Sequence, residues 1–250
     1  PLLADPRALC PAPTTRAVIT RPPGHALEPP RGFLSSEGVI RHGEPPARVR
    51  VNDTPGELSQ GNLVELELAE HLLETRWAGR MGLSSSAGGV CGAAALAVLE
   101  DLATPIRSDL RWSHQMISAI PSLLREGKEL FERSGGLHGA GLFDAQGKLL
   151  FCREDVGRHN AVDKLVGWAI ESDAVPLSQG VLGVSGRASY EIVQKAIAAG
   201  VPMVVAAKAP TSLAVDLAER WRVSLAGFVR GEGFNVYSHP SRVVAEIAVE

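Results

Sequence analysis

Cys91 stands directly before an alanine-rich stretch that predicts a helix over residues 93–102, and it ends a segment of small residues, 82–92. A thiol at a helix start lies near the positive end of the helix dipole and near unpaired backbone N–H groups, and both favour the thiolate. The glycines before it leave room around the sulfur. The position predicts a nucleophilic or sulfur-carrying cysteine, and a small buried residue at a packed helix start is an equally good interpretation.

Three turns in the second half of the chain place small and polar residues before predicted helices. They are residues 154–160, 184–189 and 209–212. Helix N-termini beyond the carboxyl ends of sheet strands bind phosphate through exposed N–H groups and the dipole. With Arg158, His159, Ser185, Arg187 and the end of a last strand at 228–235, they predict a pocket for a phosphorylated, nucleotide-like ligand. In the alternative, serine and aspartate only cap helices and glycine only makes turns.

The histidines leave further alternatives open. His159 is a candidate general acid or base, a candidate phosphate contact, or a hydrogen-bonded core residue. Cys91 and His159 together would suit a cysteine hydrolase if the fold brings them together. No histidine pair has metal-ligand spacing and the chain has no Cys-x-x-Cys, so no zinc or other metal site is predicted.

The elements that must position these residues follow from apolar periodicity. In the second half, apolar runs alternate with amphipathic helices, which predicts a largely parallel sheet covered on both faces. The predicted strands are 137–143, 149–153, 180–184, 201–207 and 223–229, and the predicted helices are 157–171, 188–199 and 213–221. Upstream, a short helical pattern at 32–40, strands at 47–51 and 63–68, and a helix at 112–133 predict a smaller α+β part.

Composition sets the class of protein. The formal net charge is −3, so no global positive field directs the chain to nucleic acid or to an anionic membrane. Three cysteines do not make a disulfide framework, and no apolar run reaches the roughly 20 residues that cross a bilayer. The N-terminus lacks a basic-then-apolar signal pattern. A cytoplasmic protein is therefore expected.

Several motifs, in order and with matching spacing, resemble those of the FdhD family. They are residues 135–138, 153–164, 184–195, 209–215, 228–231 and 234–240. The resemblance is dense over 134–243, and it is thinner through 82–99 and 32–38.

The resemblance implies an α/β chain in two parts. Residues 1–133 would form a smaller N-terminal α+β part that holds the Cys91 loop. Residues 134–250 would form a cytidine-deaminase-like three-layer domain with a mixed, mostly parallel sheet. The zinc signature of deaminases, His-x-Glu with Pro-Cys-x-x-Cys, is absent from the sequence.

The resemblance also implies an activity. Family members are accessory sulfurtransferases that carry persulfide sulfur from a cysteine desulfurase to the molybdenum cofactor, as bis-molybdopterin guanine dinucleotide, for formate dehydrogenase, and they act as homodimers. The family's cofactor contact maps onto Phe228, Val229, Arg230, Gly231, Glu232 and Gly233. In the first hypothesis Cys91 accepts sulfur and the loop 82–92 swings toward the cofactor.

One departure from the family pattern supports an alternative. The family motif Cys-Gly-x-Cys-Gly is matched in its second half by Cys91 and Gly92, whereas Gly88 occupies the position of the first cysteine. The alternative is a non-catalytic chaperone that binds the molybdenum cofactor without moving sulfur.

Overall fold

The structure, a computed structural model, describes residues 19–20, 27–41, 49–51, 63–66, 99–101, 103–127 and 136–245. Its described elements run β1 (Ile19–Thr20), α1 (Glu28–Ser36), β2 (Val49–Val51), β3 (Leu63–Leu66), β4 (Trp112–Ser113), α2 (His114–Glu126), β5 (His138–Phe143), β6 (Leu149–Asp155), α3 (Arg158–Glu171), β7 (Val181–Val184), α4 (Tyr190–Ala198), β8 (Met203–Ala206), α5 (Ser212–Arg220), β9 (Ser224–Arg230), β10 (Gly233–Ser238), a 3-10 turn (Pro240–Arg242) and β11 (Val243–Val244).

The main sheet has six strands in the order β10-β9-β8-β7-β5-β6. β7, β8 and β9 are mutually parallel, whereas β5 is antiparallel to both β6 and β7, and β10 is antiparallel to β9. A mixed sheet is confirmed, but its parallel part is smaller than predicted, because the β5–β6 and β9–β10 hairpins close both edges. The strand predicted at 223–229 extends to Arg230 as β9, and β10 is an additional strand that the sequence pattern does not predict.

Helices cover both faces of this sheet. Along β8, Val204 and Ala206 face the core under α3, α4 and α5, whereas Met203 and Val205 face the core under α2. Alternate residues therefore bury on opposite faces, which explains why the central strands are continuous apolar runs. The described part of the chain is thus an α/β structure, as predicted; its likeness to cytidine deaminase stays a prediction.

Helix α1 packs directly onto α3 at two glycines. A β-carbon on Gly32 would lie 1.9 Å from the carbonyl oxygen of Asp163, and one on Gly167 would lie 1.9 Å from that of Glu28. The absence of side chains at both positions lets the two backbones touch. Glu28 also forms a double hydrogen bond with Arg153 of β6, at 2.6 and 2.7 Å. The helix beginning at Glu28 is therefore attached to the C-terminal half.

The helical pattern predicted at 32–40 lies on α1, which spans Glu28–Ser36, because the first turn of a helix tolerates the prolines that precede residue 32. The first two residues of the helix predicted at 112–133 form β4 instead. Other elements were located closely. α3, α4 and α5 begin and end within two residues of prediction, and β2 and β3 pair antiparallel. Residues 93–98, 102 and 128–133 of the predicted helices lie outside the described residues. The division at residue 134 stays a prediction. None of the described helices has the length and apolarity that crossing a membrane requires.

Candidate functional site

The turns predicted to share one edge of the sheet do so. β6, β7, β8 and β9 end at Asp155, Val184, Ala206 and Arg230. These four strands run in the same direction, because β6 and β7 both lie antiparallel to β5. We name the turns at this end the carboxyl edge, comprising residues 155–160, 185–189, 207–212 and 228–233.

Backbone hydrogen bonds join the turns to one another. The N–H of Lys208 donates to Gly186 O at 3.2 Å, and the N–H of Thr211 donates to Ala188 O at 3.0 Å. The N–H of Phe228 donates to Lys208 O at 3.2 Å. The turns 185–189, 207–212 and 228–233 therefore form one continuous surface.

Three helices begin at the carboxyl edge, and their caps differ. Thr211 Oγ1 accepts a hydrogen bond from Ala214 N at 3.2 Å, so α5 has a capping side chain. Gly157 before α3 and Ser189 before α4 make no side-chain cap. The interpretation of these turns as helix caps is thus right for α5 and in part for α3, where Asp155 Oδ1 accepts a hydrogen bond from Gly157 N at 2.9 Å. The next N–H groups at the starts of α3 and α4 are of the kind that binds anions.

Arg158, Gly186 and His138 lie against one another on this edge. A β-carbon on Gly186 would lie 3.5 Å from His138 Nδ1 and 3.7 Å from Arg158 Cβ and Cδ. Within the described residues, the buried Nε of Arg158 has no hydrogen-bond partner. These are ordinary van der Waals distances, so a histidine and an arginine from two other elements meet at the turn after β7.

His159 contacts two side chains from the start of α4. Its Nε2 lies 2.7 Å from Glu191 Oε2 and 3.0 Å from Ser189 Oγ. In a catalytic triad the acid and the nucleophile occupy opposite ring nitrogens, whereas here both face Nε2, so this is not a serine hydrolase triad. The hydrogen bond with His159 lowers the pKa of Glu191, an effect that burial opposes. The cluster joins the N-termini of α3 and α4.

The other predicted polar contacts differ in their surroundings. Ser185 Oγ accepts from Gly139 N at 2.9 Å and so joins β7 to β5. Arg187 and Arg230 are exposed. The nearby carboxylate of Asp155 is paired with Lys164 Nζ at 2.8 Å. The edge therefore presents arginine side chains beside carboxylates that already have partners.

Phe228 is the unusual residue of the 228–233 turn. It adopts a φ of 56°, in the left-handed region that non-glycine residues rarely enter, and it is 51% exposed. Beside it, a β-carbon on Gly227 would lie 2.9 Å from Pro210 Cδ. Val229 is buried under α2, so only its backbone can contact a ligand. An exposed aromatic ring on a strained backbone is typical of a binding surface.

The remaining residues of the turn also lie at this edge. Arg230, Gly231, Glu232 and Gly233 are all exposed, and Gly231 has a φ of 59° with open space around its α-carbon. Glu232 O accepts a hydrogen bond from Ser118 of α2 at 3.3 Å. The turn is thereby fixed to α2, which covers the face of the sheet opposite α3, α4 and α5.

Cys91 and the segment 82–92 lie outside the described residues, as does Cys10. The predicted roles of Cys91 and its loop, including a Cys91–His159 hydrolase pair, stay predictions. Cys152 is half-buried in β6, as a structural residue would be. In the described ranges, no three His, Cys, Asp or Glu side chains are grouped as metal ligands, and the expected absence of zinc stays a prediction.

Two residues of the edge were missed from sequence. Ser189 and Glu191 were not proposed as site residues, although they hold the imidazole of His159. A carboxylate in the first turn of a helix that follows a site strand is a usable signal, because the helix dipole favours it there.

Comparisons with known proteins agree with one another. The family model described as the FdhD/NarQ family matches residues 9–244. The chain is 40% identical over 238 residues to the sulfur carrier protein FdhD of Mycobacterium bovis, covering 92% of this chain and 86% of that protein. It is 42% identical over 231 residues to the sulfur carrier protein FdhD of Sulfurisphaera tokodaii, covering 92% and 85%.

A solved structure supports the same assignment. The crystal structure of a protein assigned as a formate dehydrogenase accessory protein, from Desulfotalea psychrophila, superposes with a TM-score of 0.65 at 25% identity. The superposition covers 89% of this chain and 81% of that one. With a family model that spans nearly the whole chain and relatives at about 40% identity, the chain belongs to the FdhD/NarQ family.

Proposed function

We propose that this protein carries sulfur from a cysteine desulfurase to the molybdenum cofactor, bis-molybdopterin guanine dinucleotide, for the activation of formate dehydrogenase. In this proposal the protein acts in the cytoplasm as a homodimer, Cys91 carries the sulfur, and the carboxyl edge holds the dinucleotide cargo. The observation that carries the proposal is the convergence at that edge of two helix N-termini without side-chain caps, three arginines and an exposed aromatic ring.

The charges at the edge suit the diphosphate of the cargo. Arg158, Arg187 and Arg230 supply guanidinium groups, which bind phosphate through paired hydrogen bonds. The N-termini of α3 and α4 add backbone N–H groups and partial positive charge. The ammonium of Lys164 offsets the charge of Asp155, so Asp155 offers a phosphate little repulsion, whereas Glu191 keeps its negative charge at the start of α4. Only Glu232 adds an exposed carboxylate to the 228–233 turn.

The ring of Phe228 suits the guanine base. It is about half exposed beside the arginines, and Val156 and Leu213 add exposed apolar surface on neighbouring turns. Stacking of a base on an aromatic side chain contributes about 1–3 kcal/mol. We therefore assign the base to Phe228 and the phosphates to the arginines and helix N-termini.

The first sulfur step needs only the Cys91 thiolate. It attacks the terminal sulfur of the desulfurase persulfide, a new S–S bond forms on Cys91, and the desulfurase cysteine leaves as its thiolate. No net oxidation occurs in this exchange. Passing the sulfur on as sulfide takes two electrons, so assays of that step include a thiol reductant.

The cargo site is tested by titrating GDP into the protein in a calorimeter. Phe228→Ala and Arg230→Ala should each weaken binding about tenfold or more, because each removes a stacking contact or a charge-assisted hydrogen bond. Arg125→Ala is the matched control, because Arg125 is exposed on α2, away from the carboxyl edge. Unchanged affinity in both edge variants would place the nucleotide elsewhere.

The sulfur step is tested by mass spectrometry after incubation with a cysteine desulfurase and cysteine. The Cys91 peptide should gain one sulfur atom, Cys91→Ser should gain none, and Cys152→Ser should behave as wild type. Equal sulfur loading of wild type and Cys91→Ser would refute a role for Cys91.

A second candidate function is a chaperone that binds the cofactor without moving sulfur. It is favoured because Gly88 stands where the family motif has its first cysteine. GDP binding that survives Cys91→Ala, with no persulfide on wild type, would support it. Restoring the cysteine with Gly88→Cys should then confer sulfur loading.

A further inference from the structure

Four arginines cluster at the end of the sheet opposite the carboxyl edge. Arg222 lies two residues before the start of β9, and Arg242 lies directly before β11. Arg107 and Arg111 lie in the segment before β4. We name these four residues the arginine cluster. The cluster and the carboxyl edge are separated by the length of the strands, roughly 13 Å for the four residues of β7.

Hydrogen bonds hold the segment 103–111 across this end of the sheet. The N–H of Ile106 donates to Trp221 O at 2.9 Å, and Ser108 Oγ donates to Ser178 O at 3.0 Å. Trp112 then pairs with Val243 in a parallel ladder. Arg107 and Arg111 are thereby fixed beside Arg222 and Arg242, on a backbone tied to the main sheet.

Arg242 is the buried member of the cluster. It is 6% exposed, and its Nη1 donates to Arg222 O at 2.8 Å and to Ser224 Oγ at 3.1 Å. Its buried Nε has no hydrogen-bond partner among the described residues. Burial lowers the pKa of Arg242, and the charges of Arg111 and Arg222 lower it further. A buried guanidinium among like charges is costly unless an anion joins it.

No carboxylate of the described residues forms an ion pair with the cluster. Asp109 is the one acidic residue among those that line the cavity beside it. His239, also in the lining, faces Glu219, with its Nε2 3.7 Å from Glu219 Oε2. Since the chain as a whole carries a net charge of −3, this concentration of positive charge is local. The cluster therefore has the chemistry of an anion site.

Two adjoining cavities give the site its shape. The smaller, about 250 Å³, is lined by the arginine cluster, and the larger, about 720 Å³, is lined mainly by uncharged residues such as Ala103, Pro176 and Ile197. They share Ile106, Arg107 and Arg222 as a common wall. The larger volume lies within the range of small-molecule sites.

We infer that this protein has a second ligand site, which binds a phosphorylated small molecule with its phosphate in the arginine cluster and its uncharged body in the larger cavity. Phosphate fits because guanidinium groups bind its oxygens in pairs and several converge here. A small ligand fits because the cavity beside the cluster is only about 250 Å³ and the exposed members of the cluster, Arg107, Arg111 and Arg222, line it.

The phosphate half of the site is tested by calorimetry with inorganic phosphate. Wild type should bind it, and the double variant Arg107→Ala/Arg111→Ala should bind at least about tenfold more weakly, since two charge-assisted hydrogen-bond donors are lost. Both residues are exposed, so the fold should tolerate their loss. Arg125→Ala, on α2, should leave phosphate affinity unchanged.

The body half is tested with phenyl phosphate against methyl phosphate. Phenyl phosphate should bind about tenfold more tightly to wild type, because its ring would be buried in the larger cavity. Equal affinities for the two esters would overturn the assignment of the body to that cavity.

Three other results would overturn the inference. The first is that wild type does not bind phosphate at millimolar concentration. The second is that the double variant binds phosphate as tightly as wild type. The third is that Arg230→Ala alone loses phosphate binding, which would assign the phosphate to the carboxyl edge. Tighter binding of an oligoglutamate peptide that displaces phosphate would make the cluster a protein-docking surface instead. GDP affinity in the Phe228 and Arg230 variants is read separately, so this site and the proposed function fail independently.

Discussion

Replacing either glycine at the α1–α3 crossing with alanine tests how the N-terminal helix is attached. The two positions face each other's backbones, Gly32 against Asp163 and Gly167 against Glu28. In a helix free of contacts, glycine to alanine stabilises by about 1 kcal/mol, because alanine is the better helix former. The structure predicts the opposite sign, because the new methyl group has no space.

The magnitude follows from the separation that the methyl group needs. It would start 1.9 Å from a carbonyl oxygen, and ordinary contact begins at 3.4 Å, so the helices must part by 1.5 Å. Overpacking costs about 1–3 kcal/mol and more where the obstacle is backbone. Parting the helices also strains the Glu28–Arg153 pair, which lies at the same end of α1. Set against the gain in helix propensity, the net loss is about 2 kcal/mol or more.

The assay is denaturant and thermal unfolding of Gly32→Ala, Gly167→Ala and the double variant. A loss of about 2 kcal/mol lowers the melting temperature by roughly 4–8 °C in a chain of this size. The double variant should lose less than the sum of the single variants, because the first methyl group already separates the helices. Ser122→Ala, exposed on α2, is the control. Stabilisation of either single variant would refute the close crossing.

Three further results are expected. Lys195→Met should lower the free energy of unfolding in urea by about 3–5 kcal/mol, because it leaves the carboxylate of Asp163 buried without a partner. In the wild type the Lys195 ammonium lies 2.6 Å from that carboxylate. A loss below about 1 kcal/mol would contradict this ion pair. The hydrogen bond with His159 lowers the pKa of Glu191 from 4.5, so Glu191 stabilises the folded protein above pH 4.5, and this stabilisation is lost as pH falls through the depressed pKa. The difference in unfolding free energy between wild type and Glu191→Gln should shrink over that range of pH. A constant difference would argue against the bond. Phe228→Gly should keep its unfolding free energy within about 1 kcal/mol of wild type, because relief of the left-handed backbone offsets the added chain entropy. Its affinity for GDP should nevertheless fall about tenfold. A loss of stability as large as the loss of binding free energy would make the residue structural.

The sequence was most informative where local pattern and chemistry coincide. The apolar strands and the turns of α3, α4 and α5 could be located from sequence because buried strands and helix starts have strong local signatures. Their meeting at one edge followed from the direction of the strands. The family resemblance, now confirmed, came from the same turns.

Other features depend on contacts between residues far apart in the chain. The packing of Gly32 on α3 has no local signature, since a glycine inside a helical pattern only lowers the expectation of helix. The arginine cluster was equally hidden, because residues 107, 111, 222 and 242 are far apart in the chain. They meet through the β4–β11 ladder and through hydrogen bonds that join the segment 103–111 to Trp221 and Ser178. The role of Glu191 required the position of His159, which propensity does not give.

The attachment of α1 to α3 has a consequence for how the protein is made. Residues 28–36 are made well before residues 158–171, so the apolar face of this early helix waits for its partner while the whole segment between residues 36 and 158 is synthesised. Contacts between segments so distant in the chain slow folding, because a long loop must close first. Newly made chains that stop short of residue 171 would expose Leu34 and should depend on chaperones for their solubility.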